Sequence, residues 1–101
     1  MYLEIISPEA IVFKGEVDSI SVPGSSGDFQ VLNNHAPIIS TLKKGIIKIK
    51  TNTKPEESDE NFFSKEDKET YIYKIKSGVI QVKKNKLILL SDKNIFVNIF
   101  N

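Results

Sequence analysis

Few residues in this chain are equipped for chemistry. His35 is the single histidine and there is no cysteine, so thiolate nucleophiles, thiolate metal sites and disulfides are all excluded. His35 stands in Asn33-Asn34-His35-Ala36-Pro37 with no serine, threonine or carboxylate pair at a spacing that would make it a catalytic base. One imidazole without a second nitrogen or sulfur ligand cannot build a metal centre. The sequence therefore predicts no catalytic residue and no metal site, and His35 reads as a ring that fixes a turn through backbone hydrogen bonds. Gly24 and Gly27 bracket Ser25-Ser26 in a short glycine loop, but neither a lysine nor a helix follows, so the loop is no phosphate cradle. Neither a cofactor nor a bound nucleotide is expected. Asp28, next along the loop, has the character of an ordinary solvated carboxylate.

The elements that must position these residues are strands. Period-two patterning dominates, Ile, Val, Phe and Tyr are abundant, and alanine occurs only at Ala10 and Ala36. Short apolar stretches separated by Gly, Pro, Asn or Asp predict an all-β, flattened sandwich or barrel of about 8–10 mostly antiparallel strands. Expected strands are Tyr2–Ser7, Ala10–Phe13, Glu16–Val22, Asp28–Val31, Ala36–Leu42, Gly45–Thr51, Thr70–Lys76, Gly78–Lys83, Lys86–Ser91 and Asn94–Phe100. Lys43-Lys44-Gly45 forms a turn in which glycine can take positive φ. Lys84-Asn85 is a two-residue hairpin loop with asparagine available for a left-handed position.

With 101 residues the chain makes one domain, 1–101, and a chain of this size buries roughly 60–70% of its unfolded surface. No basic leader precedes a long apolar stretch at the start, and no apolar run approaches the ~18 residues of a membrane span. A soluble, cytoplasmic protein without direct membrane insertion is expected. All 14 basic residues are lysine and the net charge is +1. The absence of arginine, the residue that forks onto phosphates and base edges, argues against a nucleic-acid partner.

The segment 52–69 breaks the pattern. From Lys54 to Glu69 it holds three lysines and seven acidic residues, leaving a basic remainder of net +5. The simplest expectation is a long polar acidic loop. The sharper one is that Phe62 and Phe63 anchor it on the body or on a partner. The later strands are apolar on both faces: Leu87 to Leu90 is a continuous run, and Ile95, Val97 and Ile99 alternate with Phe96, Asn98 and Phe100. One wet face should leave clean alternation, so the second face is expected to be covered, by the long loop, by a closed barrel wall or by another protein. Phe96–Phe100 is expected to be buried or interfacial.

One stretch carries a specific resemblance. Val22-Pro23-Gly24-Ser25-Ser26-Gly27-Asp28-Phe29-Gln30-Val31-Leu32-Asn33-Asn34-His35-Ala36-Pro37 is similar to the signature of the epsilon subunits of F-type ATP synthases. Flanking matches agree: Leu3 to Glu9 resembles that family's opening strand, Val12 to Val17 its second hairpin, and Ile75 to Val82 its later glycine hairpin. The sequence departs from the pattern at Gln30, Val79 and Gln81, which implies a different surface. The family commonly continues into two antiparallel helices, and the sequence ending at Asn101 implies a short form without that C-terminal helical hairpin and without inhibition by it.

The resemblance implies a non-catalytic rotor component at the foot of the central stalk. It would bind the gamma subunit on its flank and the c-ring at its end, on the cytoplasmic side of the membrane, and couple proton translocation to ATP synthesis. By residue-to-residue match it assigns Ser26, Gly27, Asp28 and Phe29 to the c-ring-facing loop, and Ser7, His35 and Ser40 to the gamma-facing side. A free-standing sandwich that binds a ligand or peptide is the competing expectation. It would call for an exposed aromatic platform, and the nine aromatic residues, with no tryptophan, form no obvious one.

Overall fold

The computed structural model describes residues 1–58 and 63–92. The elements are β1 (Tyr2–Ile6), β2 (Ile11–Glu16), β3 (Ser19–Val22), β4 (Phe29–Leu32), β5 (Ile38–Leu42), β6 (Gly45–Lys50), β7 (Glu57–Ser58), β8 (Ser64–Asp67), β9 (Thr70–Ile75), β10 (Gly78–Lys83) and β11 (Lys86–Ser91). All described elements are strands, as the period-two pattern predicts. They form two sheets, one in the order β5-β10-β11-β1-β2-β7 and the other β4-β3-β6-β9-β8. Every pairing is antiparallel except β1 with β11. The expected strand Asn94–Phe100, and with it the apolar stretch Phe96–Phe100, lies outside the described residues.

Alternation builds the core between the sheets. Leu3 and Ile5 of β1, Ile80 and Val82 of β10, and Leu87 and Leu89 of β11 point inward and are buried. Ile20, Ile47, Ile49, Tyr73 and Ile75 meet them from the other sheet. Burial of each such side chain contributes roughly 1.5–3 kcal/mol. Alternation fails at Val12-Phe13, both fully buried, because the register against β1 slips between Ile5 and Ile6 and a bulge turns both inward. Tyr73 buries its ring and keeps its phenol 2.8 Å from the Ser91 hydroxyl, so the polar tip is satisfied.

The structure corrects several local expectations. Glu16 ends β2, and the next strand starts only at Ser19, because Val17 and Asp18 donate their amides across to Met1 and Lys50. Gly45 has no positive φ; a Cβ there would lie 2.8 Å from the Pro23 ring, so its need is space. At the β10–β11 turn the expectation holds: Lys84 (φ 50°) and Asn85 (φ 61°) are both left-handed, which suits the twist of a two-residue hairpin.

Within 52–69 the structure places two strands, so the segment is not simply a loop. β7 adds to the edge of β2 through Phe13↔Ser58, and β8 adds to β9 through Ser64↔Ile72. Phe63 packs on the core, its ring 5.7 Å from Phe13, 5.8 Å from Tyr71 and 5.3 Å from Tyr73. The anchoring expectation is met at Phe63; Phe62 lies outside the described residues. β8 is all polar, Ser64-Lys65-Glu66-Asp67, which keeps an exposed sheet edge from pairing with other chains.

Candidate functional site

Two ends and one flank hold the residues singled out in the sequence. At one end the β3–β4 loop, Pro23 to Asp28, folds over the β5–β6 turn. The Ser25 amide donates to Thr41 O (3.0 Å), the Lys43 amide to Pro23 O (2.9 Å) and the Gly27 amide to Gly24 O (3.0 Å). The Thr41 hydroxyl donates to Ser25 Oγ at 2.8 Å. The loop is thus tied to β5, an edge strand of the other sheet. Its two glycines have different reasons. Gly27 takes φ 139°, open to glycine alone among ordinary residues. At Gly24 a Cβ would lie 2.5 Å from Gly27 O and 2.8 Å from the Phe29 ring. Phe29 is half-buried against the core, a plug beneath the loop.

What this end presents is Ser25-Ser26-Gly27-Asp28, all exposed. The Asp28 side chain is 78% exposed and its carboxylate lies 3.8 Å from Lys43 Nζ, itself 56% exposed. Such a surface pair is worth at most about 1 kcal/mol, so the carboxylate remains available to a partner. Lys43, its charge neighbour, was not among the residues singled out; only the fold brings the β5–β6 turn beside this loop.

His35 lies at the opposite end of the sandwich. Its amide donates to Leu32 O (3.1 Å) and its Nδ1–H to Ala36 O (2.6 Å), so the ring fixes the β4–β5 loop as its sequence position suggests. Asn85, in the β10–β11 turn, accepts from the Asn34 amide and donates to Asn33 Oδ1, both at 2.8 Å. Those bonds tie the His35 loop to the sheet that carries β5. Ser40 sits midway along β5, half-buried, its hydroxyl donating to Thr41 O at 3.0 Å. His35 and Ser40 therefore share the β4–β5 flank, and Asp28 caps one end of it.

Ser7 falls elsewhere. It is 5% exposed, and its hydroxyl closes the β1–β2 turn by donating to Ala10 O and accepting the Ala10 amide, both at 3.3 Å. So placed, it has little surface to give a partner. Sequence reasoning passed over Ile39, neighbour of Ser40 and 71% exposed, and Leu32, 53% exposed at the end of β4. The doublet Ile38-Ile39 breaks strict alternation in an edge strand, which is the signal that marks it.

Among the described residues no group of His, Asp and Glu could hold a metal ion, and no helix is long and apolar enough to cross a membrane. The arrangement offers an exposed acidic loop, a flank with apolar and hydrogen-bonding groups, and a stiff body between.

Comparison with known proteins bears on what that arrangement belongs to. Residues 1–60 match the family described as the β-sandwich domain of the ATP synthase delta/epsilon chain. The chain is 54% identical over 52 residues to the ATP synthase epsilon chain of Leptospira interrogans, covering 52% of this chain and 41% of that one. It is 50% identical over 50 residues to the epsilon chain of a Bradyrhizobium species, covering 50% of this chain and 37% of that one. The matched part thus spans about two fifths of the length of these curated relatives. The fold resembles a chain in the central stalk/c-ring structure of Tetrahymena thermophila mitochondrial ATP synthase, with a TM-score of 0.70 at 13% identity over 92% of this chain and 63% of that one. A chain of the Euglena gracilis mitochondrial ATP synthase gives 0.68 at 19% identity, over 88% of this chain and 48% of that one. By sequence match over more than half its length, the chain belongs to the family of ATP synthase delta/epsilon chain β-sandwich domains.

Proposed function

We propose that this sandwich works as the stalk-bound part of an epsilon subunit in a bacterial F-type ATP synthase, joining the gamma subunit to the c-ring at the cytoplasmic face of the membrane. It performs no reaction of its own. It is gripped on the β4–β5 flank, around His35, Ser40 and Ile39, by gamma, and its Ser26–Phe29 loop rests on the polar loops of the ring, so that it turns with the rotor and helps couple proton translocation to ATP synthesis. The observation that carries this reading is the braced loop. Three backbone hydrogen bonds, a side-chain bond and a phenylalanine plug hold a tip whose only charged member, Asp28, is exposed. A tip that must transmit torque needs a stiff base and a free surface, and this loop has both. A contact that survives rotation needs more than the ~1,000 Å² that separates stable from fleeting interfaces, so gamma must cover much of the flank.

Charge reversal tests the loop. Asp28→Lys in the assembled enzyme is expected to weaken ATP-driven proton pumping in membrane vesicles while the isolated domain keeps its unfolding midpoint. Unchanged pumping would remove the c-ring assignment.

A further inference from the structure

The β4–β5 loop, residues 33–37, has little of its own to hold it. None of these residues is buried, so no apolar side chain roots the loop in the core. Asn34 takes φ 64°, a left-handed conformation that an L residue adopts at a cost. The local ties are the His35 amide on Leu32 O and the His35 ring on Ala36 O. Among the described residues, the bonds that reach further along the chain converge on Asn33 and Asn34. Asn85 Oδ1 accepts the Asn34 amide at 2.8 Å and Asn85 Nδ2 donates to Asn33 Oδ1 at 2.8 Å. The Met1 nitrogen donates to that same Asn33 oxygen at 3.3 Å.

Asn85 exceeds what its own turn requires. Lys84 and Asn85 both have positive φ, the geometry of a type I′ turn, in which glycine suits the second position best. An asparagine there carries a side chain that the turn does not need. Between exposed Lys84 and Lys86 it is half-buried, with both ends of its amide engaged by a loop 51 and 52 residues away in sequence.

We infer that Asn85 is a positioning residue for the gamma contact: its amide presets the 33–37 loop, and with it His35, in the shape that gamma binds. This rests on the gamma reading above and adds to it a residue outside the flank. The physical basis is preorganisation. A loop ordered before docking has less conformational freedom to lose, and an apparent dissociation constant rises as the competent fraction of chains falls. Removing two hydrogen bonds of ordinary net strength lowers that fraction by about tenfold.

The variant that separates this role from folding is Asn85→Gly. Glycine keeps the left-handed turn and removes only the side-chain amide. In the full chain, the urea midpoint and the amide positions of β10 and β11 are expected to stay as in wild type. Hydrogen exchange at the Asn34 and His35 amides is expected to quicken about tenfold. The dissociation constant for recombinant gamma, by calorimetric titration, is expected to rise about tenfold. Added to His35→Ala, Asn85→Gly is expected to bring little further loss, because both changes act through one loop. Gamma bound equally tightly by wild type and Asn85→Gly would overturn the inference and leave the gamma reading intact. No gamma bound by the wild-type chain would overturn the gamma reading, and the inference with it. Unchanged exchange at Asn34 and His35 would overturn the inference before gamma is added. So would additive losses in the double variant, or a fall in the urea midpoint as large as the loss of affinity, which would make Asn85 a prop of the whole domain.

Discussion

The two outer faces of the sandwich are built from the same kind of strand and differ sharply in what they show to water. On the sheet formed by β3, β4, β6, β8 and β9, one outward row reads Gln30, Ser21, Lys48, Ile72 and Ser64, and Lys48 pairs with Glu66 at 3.3 Å. Ile46 and Leu32 are exposed there, but they stand on separate rows with Lys74 and Ser19 as cross-strand neighbours. The opposite face gathers Ile39, Val79, Leu90 and Ile11 with little charge between them. Isolated apolar residues are normal on any surface, whereas a contiguous group marks a contact. One face is thus finished by water and the other asks for a partner.

The sharpest way to break that contrast lies within β11. Leu89 points inward and is fully buried, while its neighbour Leu90 points outward. Leu89→Ala is expected to cost about 2–5 kcal/mol in urea unfolding. Leu90→Ser is expected to leave the isolated chain within about 0.5 kcal/mol of wild type. A large loss at Leu90 would mean that the outer face is already buried by the chain itself.

Smaller effects sharpen the account of the two edges. Phe63→Ala removes the ring that holds 52–69 against Phe13, Tyr71 and Tyr73, and is expected to cost ~2 kcal/mol, less than a fully buried phenylalanine because Phe63 keeps some exposure. Gly24→Ala forces its new Cβ against Gly27 O and the Phe29 ring and is expected to cost about 1–3 kcal/mol, with amide shifts concentrated in residues 23–29.

The smallest effect is a pH dependence. The Glu69 amide donates to Asp67 Oδ1 at 2.8 Å and, with the Thr70 hydroxyl, holds that carboxyl below its ordinary range. A depressed folded value means the contribution is present above the unfolded carboxylate range and disappears as pH falls through the folded one. Asp67→Ala should therefore be less stable than wild type at neutral pH, and the gap should close in strong acid; a gap constant across that range would contradict the assignment.

Much of this molecule is readable in its residues. The β10–β11 hairpin follows from two apolar runs around Lys84-Asn85, and the signature from Val22 to Pro37 marks the family. What escaped reading is non-local. The parallel pairing of β1 with β11 joins the two ends of the described chain, and no local pattern announces it. β8 has no apolar periodicity, since it forms by adding a polar strand to an edge that β9 leaves open. The burial of Ser7 in its own turn, and the placing of Asp28 and His35 at opposite ends of one flank, likewise depend on how the two sheets stack. Residue types named the candidates, and stacking decided which of them share a surface.

The central claim is that the β4–β5 flank is a grip for the rotor shaft. Mixing the purified chain with the recombinant gamma subunit of the same synthase and separating by size exclusion tests it most directly. The account predicts one co-eluting one-to-one complex at micromolar concentration, lost on Ser40→Arg and retained on Lys48→Glu, which alters only the wet face. Two separate peaks for the wild-type chain would contradict it.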